Sequence, residues 1–428
     1  MEREILVSAE VGGRTEPVGR LWTRYRRGVE SASFEYDRRW LRHPAAFSLE
    51  PALTLDPGPQ HTGAGRAIFG ALADSAPDRW GRLLMRRAER RRAEEEQRAP
   101  RALAEIDFLL MVDDEARTGA LRFQEKDGDA YLSAPVEGSR IPPFLEMVRL
   151  LAATDRLERE KETGEDIRLL LAPGSSLGGA RPKATVRDKD GSLAIAKFPR
   201  KTDEVRTVLW EAVALELARK AGIPVAPSRI VAVGKQAVLV VRRFDRARVN
   251  TGLRRVPFLS AMSMLGAVDN ETRSYMEIAD SLRRHGAEPR QDMRQLWRRI
   301  VFNIMTSNTD DHLRNHAFVY EGNRGWRLSP AYDLNPTPTD LKPRFLSTAI
   351  DLADTTASME VAFSVAAYFD ADAEEARVIV GEVARAVARW RVVAARFGLL
   401  KKEIDRMQSA FEIAEGYKAG VRVRARVA

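Results

Sequence analysis

Residues 301–335 constrain this chain more than any other stretch. They read VFNIMTSNTDDHLRNHAFVYEGNRGWRLSPAYDLN. An apolar, helix-like run, Val301 to Met305, ends at the polar cluster Thr306, Ser307, Asn308 and Thr309. His316 to Tyr320 alternates as a short strand, and Glu321 to Gly325 is turn chemistry, because Gly and Asn accept positive φ. Trp326 and Leu328 lie on the return strand, and Asp333 follows. A tight hairpin brings its ends together, so the spacing predicts Asn315 beside Asp333, with Asp310 on the loop just before. Three oxygen-bearing side chains then converge. A hard cation such as Mg²⁺ takes one or two such protein groups together with phosphate oxygens.

The spacing carries a second meaning. A phosphoryl-transfer loop of the form D-x-x-x-x-N uses Asp to accept a hydroxyl proton and Asn to hold metal. Asp310-Asp311-His312-Leu313-Arg314-Asn315 has that form. Asp and Asn are also common in loops because they make local turns. The trailing hairpin and Asp333 separate the two readings only if other parts lie elsewhere in the chain.

Residues 172–199, APGSSLGGARPKATVRDKDGSLAIAKFP, supply such parts. Gly174, Gly178 and Gly179 allow backbone amides to turn toward an anion. A hairpin follows, Ala184 to Val186 returning through Leu193 to Phe198. Strand alternation puts Lys197 on the face opposite Ala196 and Phe198. That order, glycine loop and then strand lysine, is the phosphate-holding order of a kinase nucleotide lobe. An ordinary flexible loop and a surface lysine are the bland alternatives. A helix over Val205 to Ala221 carries Glu211, the residue assigned to pair with the strand lysine as a helix Glu does in kinases, with Glu216 as its competitor on the same helix. Ile230 to Val241 reads as a strand pair around Gly234 and leads into Arg242-Arg243-Phe244. Beyond this point the chain turns helical, over Ser274 to Arg284, Gln291 to Thr306, Ala371 to Phe397 and Lys401 to Tyr417.

The rest bounds the answer. The 428 residues suffice for two or three domains. With no cysteine, disulfides and thiolate metal sites are excluded. The start of the chain is charged and strand-like rather than a secretory signal, and no apolar run reaches the ~20 residues of a membrane span. The expected compartment is the cytoplasm. Net charge is +9, compatible with a polyanionic partner. The arginines of Leu84 to Arg98 alternate with Glu89 and Glu94 to Glu96, however, as on a solvated, salt-bridged face. Residues 1–60 read as β-rich, Arg66 to Ala73 and Asp78 to Glu96 as helices, and the loop Asp74 to Asp78 as a cap between them.

Taken together, these stretches resemble the HipA-type serine/threonine kinases, the toxin half of a bacterial toxin–antitoxin pair. The resemblance rests on Leu72-Ala-Asp-Ser-Ala-Pro-Asp78, Ser175 to Lys183, Ala196 to Pro199, Val241 to Arg246, Thr309 to Asn315 and Ser329-Pro-Ala-Tyr-Asp333, in the family's order over nearly the whole chain. It implies an α+β, two-lobe protein-kinase-like fold, with a β-rich N-terminal lobe and a mostly helical C-terminal lobe. The division is expected at 1–100, 101–243 and 244–428. It also implies ATP and Mg²⁺ as cofactors. Asp310 matches the catalytic residue, and Asn315 and Asp333 the metal ligands. Gly178, Gly179, Ala180, Arg181, Pro182 and Lys183 match the phosphate loop, and Lys197 the nucleotide lysine. Arg242, Arg243 and Phe244 match the hinge that meets adenine through backbone groups, and His312 a nucleotide-side histidine. Ser176, with Ser175 as its neighbour and competitor, matches the serine that the family autophosphorylates.

The implied partners are a small HipB-like DNA-binding antitoxin, operator DNA through that antitoxin alone, and a protein substrate, which is an aminoacyl-tRNA synthetase for the best-known members. No membrane partner is implied. One departure is the hinge, which opens with Arg242 where the familiar member is acidic. The competing reading is a nucleotide-binding pseudokinase that acts as a DNA-bound co-repressor with its antitoxin. Retention of Asp310, Asn315 and Asp333 together argues for the kinase.

Overall fold

The computed structural model describes residues 2–128, 130–132, 141–171, 179, 181–249 and 252–418. It divides into two compact units: Met1–Arg200 with Val231–Leu259, and Lys201–Ile230 with Ser260–Ala428.

The first unit opens with strands β1 (Glu2–Val11), β2 (Arg14–Arg26) and β3 (Val29–Tyr36), joined by tight turns. With β4 (Gln60–His61) and β5 (Leu121–Gln124) they form one antiparallel sheet in the order β4-β3-β2-β1-β5. Alternation buries Ile5, Val7 and Ala9 on β1 and Ala32, Phe34 and Tyr36 on β3, as a half-buried sheet requires. The second sheet of the unit comprises β6 (Lys183–Arg187), β7 (Leu193–Lys197), β8 (Ser228–Val233) and β9 (Gln236–Arg242), in the order β6-β7-β9-β8. Helices Arg79–Glu95, Met147–Glu158 and Gly164–Leu171 contribute Trp80, Leu84, Leu150, Leu157 and Leu170 to the core that also holds Val186, Ala196 and Val240 of this sheet.

The expected capping loop is present. Asp78 caps helix Arg79–Glu95, accepting from the Gly81 N–H at 2.8 Å. Its second oxygen holds the Lys183 ammonium, also at 2.8 Å. The helix expected from Arg66 begins only at Gly70. The reason is a long-range partner: the buried Glu50 carboxylate takes the Ala71 N–H at 2.5 Å, which ties down the first turn there.

The second unit is helical around one hairpin. Helix Thr207–Lys220 is buried on nearly every side from Val208 to Leu215, as a central helix must be. Its Trp210 meets Trp390 and Phe411, with ring centroids 6.2 and 6.1 Å away. Trp390 stacks on Phe411 at 4.5 Å. This stack explains two departures from expectation. The helix predicted over Ala371 to Phe397 breaks into Ala373–Val387 and Trp390–Arg396. That predicted over Lys401 to Tyr417 breaks into Lys401–Arg406, a 3-10 turn Gln408–Phe411, and Glu412–Lys418. The kinks turn both aromatic rings inward. Among the described residues no helix is long and apolar enough to cross a membrane.

Candidate active site

Helix Pro289–Met305 delivers the chain to the loop. Proline at its first position presets φ and gives up an N–H that would lack a partner anyway. The next four residues are polar yet no more than 2% exposed, so their groups need partners within the fold. Thr306 Oγ1 donates to the Phe302 carbonyl at 2.8 Å. Asn308 Nδ2 donates to Asn303 Oδ1 at 2.9 Å, while Asn308 Oδ1 accepts the Asn335 N–H at 3.0 Å. Asn303 Nδ2 in turn donates to the Tyr275 hydroxyl at 2.9 Å, and that hydroxyl donates to Asp311. Asp311 also accepts the Ser347 N–H at 2.7 Å. A chain of neutral groups, buried from Asn303 to Asp311 and ending on that one carboxyl, thus joins the helix end, the loop and, through Asn335 and Ser347, the segment after Asp333.

Within this frame Asp310 is exposed, and its carboxylate makes no hydrogen bond or ion pair among the described residues. Asn315 explains the five-residue spacing. It sits at the end of a 3-10 turn, Leu313–Asn315, and its Nδ2 donates back to the Asp310 carbonyl at 2.6 Å. Its Oδ1 is buried and accepts no hydrogen bond among the described residues. A buried acceptor without a donor is costly, and a cation relieves that cost. The hairpin forms as predicted, Ala317–Tyr320 against Trp326–Leu328, with Phe318 opposite Leu328 and Tyr320 opposite Trp326. Ser329 N–H continues it onto the Ala317 carbonyl at 2.8 Å, and the Tyr332 hydroxyl reaches the Arg314 carbonyl at 2.6 Å. The two ends of the hairpin are therefore drawn together, and Asn315 and Tyr332 line one cavity with Asn303, Asn308, Asp311 and His316. Asp333 follows at φ +53°, a left-handed conformation that Asp tolerates better than most residues.

Two histidines flank the loop. His312 Nδ1 is buried and has no hydrogen-bond partner among the described residues. His316 donates from Nε2 to the Asp311 carbonyl at 3.2 Å and lies edge-on to Tyr275. Burial pulls its pKa down to about 3, so the ring is neutral.

The first unit holds the other predicted residues. Lys197 ends β7, opposite Lys183 of β6 and Leu239 of β9, on a strand whose Ala194 and Ala196 are buried. Lys183 was expected in the phosphate loop. Its ammonium is instead buried against Asp78, and its carbonyl accepts the Trp80 indole N–H at 3.1 Å. Gly179 has φ +85°, and a β-carbon there would lie 3.5 Å from the Lys183 ammonium. Pro182 offers its carbonyl to the Phe198 N–H at 3.0 Å, and Arg181 precedes it. Ser175, Ser176, Gly178 and Ala180 lie outside the described residues.

At the expected hinge, Arg242 pairs with Asp190, and the Arg243 N–H donates to the Leu193 carbonyl at 2.9 Å. The Arg243 guanidinium is buried and bonds to Asp245 and to the Ala116 and Arg117 carbonyls. Phe244 packs against Phe258 at 6.2 Å. Arg243 is thus a structural residue through its side chain. Sequence reasoning assigned no role to Tyr275, Asn303, Asn308 or Asp311. The one signal, for Asn308 and Asp311, was the length of the polar run from Thr306 to Asp311.

Comparison with known proteins places this geometry. Residues 9–124 match the family model of the HipA N-terminal domain, and residues 175–390 that of the HipA-like C-terminal domain. Over 254 residues the chain is 29% identical to Y4mE of Sinorhizobium fredii, named as a candidate kinase. That match covers 53% of this chain and 57% of the relative. A second candidate kinase, from Haemophilus influenzae, is 30% identical over 105 residues, 23% of this chain and 31% of the relative. The chain thus spans little more than half the length of the first curated relative and under a third of the second. Among solved structures, HipA of Shewanella oneidensis MR-1, determined with HipB and operator DNA, superposes with a TM-score of 0.66 at 18% identity, over 96% of this chain and 97% of that one. The fold is the HipA fold, and the chain belongs to the HipA family.

Proposed function

We propose that this protein is an ATP- and Mg²⁺-dependent serine/threonine protein kinase of the toxin–antitoxin type. The observation that carries the reading is the closed loop of Asp310 and Asn315, with an unengaged carboxylate at one end and a buried, undonated amide oxygen at the other. Asp310 accepts the proton of a substrate hydroxyl. Asn315 Oδ1 and Asp333 hold Mg²⁺, which when bound supplies charge neutralisation for the phosphate oxygens. Mg²⁺ usually takes one or two protein groups and fills its shell with phosphate oxygens and water, which suits a site with these two side chains. Lys197 and the amides of the glycine-rich loop hold the triphosphate, His312 lies on the nucleotide side, and the backbone of Arg242 to Phe244 meets adenine. Such catalysis is mainly positioning and charge neutralisation.

Family membership supports the remainder of the proposal. A HipB-like antitoxin neutralises the protein and brings it to operator DNA, as the solved Shewanella complex contains HipA, HipB and DNA. The substrate is a cellular protein, with an aminoacyl-tRNA synthetase the first to try. Phosphorylation of Ser176 switches the enzyme off, because a phosphate there adds roughly −1.5 to −2 charges where ATP brings its own. The test uses one purified sample. Asp310→Asn is expected to bind Mg²⁺-ATP normally by calorimetry and to lose ~10²–10⁴-fold in transfer of labelled γ-phosphate. Mass spectrometry of the wild-type incubation is expected to place phosphate on Ser176 and to find none in the variant. Near-wild-type transfer by Asp310→Asn would overturn the assignment.

A further inference from the structure

The chain after Asp333 returns to the loop and is tied to it residue by residue. The Thr337 N–H donates to the Ser307 carbonyl at 3.2 Å, Ser347 Oγ to the Thr309 carbonyl at 2.9 Å, and Thr348 Oγ1 to the Asp311 carbonyl at 2.7 Å. These ties are neutral. Arg344 joins them through Ser307 Oγ, but its charge is met by Glu412 at 2.8 Å. Lys342 differs. Its half-buried ammonium donates to the Thr309 carbonyl at 3.3 Å and makes no ion pair among the described residues.

Anchoring the loop does not explain this lysine. The Thr309 carbonyl already accepts from Ser347 Oγ at the shorter distance. Holding a four-carbon side chain in one place costs up to about 2 kcal/mol of rotamer freedom, for a hydrogen bond the carbonyl does not need. What the placement adds is a positive charge one peptide from Asp310. The charge is held apart from that carboxylate, since the two form no ion pair, so Asp310 keeps its acceptor. Phosphoryl transfer needs such a charge, because negative charge spreads over the three equatorial oxygens in transit and cations there stabilise it. The loop's own cation is committed elsewhere: Arg314 pairs with Asp269 at 3.1 Å.

Building on the kinase reading above, we infer that Lys342 is a further catalytic residue, whose ammonium contacts the phosphoryl group as it passes to the hydroxyl held by Asp310. In that step the substrate oxygen forms its bond to phosphorus and its proton passes to Asp310. The bond from phosphorus to the bridging oxygen breaks, and ADP leaves with the electron pair. Lys342 keeps its protons and only donates hydrogen bonds.

The chain contains no cysteine, so Lys342→Cys introduces a single thiol that 2-bromoethylamine converts to a lysine-like side chain. Lys342→Gln retains an N–H donor for Thr309 but no charge. Both variants are expected to lose about 10²–10³-fold in transfer rate, with Mg²⁺-ATP affinity and thermal midpoint close to wild type. Aminoethylation of the Lys342→Cys protein is expected to restore at least about a tenth of the wild-type rate, a rescue that a purely structural role would not give. Full activity in Lys342→Gln, or a rate loss that follows loss of folding and is not rescued, overturns the inference while the kinase reading stands. Absence of transfer by the wild-type protein overturns both.

Discussion

Asp245 in the first unit and Asp311 in the second are both buried aspartates, 4% and 1% exposed, in opposite surroundings. Asp245 is ringed by cations: Arg243 reaches it at 2.9 and 2.6 Å and Arg246 at 2.8 Å, with the Gly119 N–H at 2.9 Å. Burial alone would raise its pKa, but the two guanidinium groups reverse this and hold the carboxyl well below the usual carboxylate range. Asp311 meets dipoles instead, the Tyr275 hydroxyl and the Ser347 amide. Burial prevails there and pushes it up to about 6. The same side chain at the same depth is a permanent anion beside charges and a titrating group beside dipoles. The region near β9 is thus held by ionic attraction, and the Asp310–Asn315 loop by a network of dipoles that ends on one titrating carboxyl.

The strongest way to break this contrast is to neutralise the first aspartate. Asp245→Asn leaves the Arg243 and Arg246 charges buried without their anion, which typically costs about 3–5 kcal/mol. Thermal or denaturant unfolding measures it, and a change below about 1 kcal/mol would remove Asp245 from its role as the network's counter-charge.

The second test sharpens the contrast through pH. An unfolded aspartate titrates near ~3.9, and Asp311 in the fold near about 6. The folded state therefore binds this proton more tightly. Its stabilising contribution is fully present below about pH 4 and is lost as pH rises through about 6, a swing of roughly 3 kcal/mol. Denaturant midpoints of the nucleotide-free protein in EDTA are expected to show this fall, and Asp311→Asn to lack it. Asp245 has the opposite sign: its contribution is lost only as pH falls through its lowered pKa.

Smaller effects test the neutral network itself. Asn308→Ala removes one donor to Asn303 and one acceptor for the Asn335 N–H, and is expected to destabilise by about 1–3 kcal/mol. Because it loosens the frame around Asp310, phosphoryl transfer is expected to fall more than nucleotide affinity. The smallest effect belongs to the surface. Glu96 bonds to Arg92 at 2.7 Å and Arg98 at 2.5 Å on the exposed surface, and Glu96→Ala is expected to give no resolvable change in thermal midpoint.

These differences track what a sequence can reveal. The 317–328 hairpin and the Asp310–Asn315 loop were legible because their chemistry is local: alternation, turn residues and a five-residue spacing. The β6–β7 hairpin and the Asp78 cap were legible for the same reason. Asp311 and Tyr275 are 36 residues apart, and a tyrosine on a helix carries no mark of the partner it will find. Arg243 entered as a hinge residue through its backbone, and nothing local marked its side chain, whose carbonyl partners at Ala116 and Arg117 lie some 126 positions earlier. The arginines of Leu84 to Arg98 read as a solvated face, which suits Arg92 and Arg98; Arg117, outside that run, is buried with its guanidinium over the Phe123 ring, and nothing local marked it. The helix breaks before Trp390 and Phe411 follow from a stack that exists only in three dimensions.

Asp78 serves two partners at once, the Gly81 N–H with one oxygen and the Lys183 ammonium with the other. No single replacement preserves both. Serine or asparagine would still cap the helix but would strand a buried cation, whereas glutamate would keep the charge but reach poorly to the helix end. Evolutionary drift at position 78 is therefore confined to steps in which position 183 changes as well. Two sites 105 residues apart become, for selection, a single heritable character, and relatives of this chain are expected to exchange the pair together or not at all.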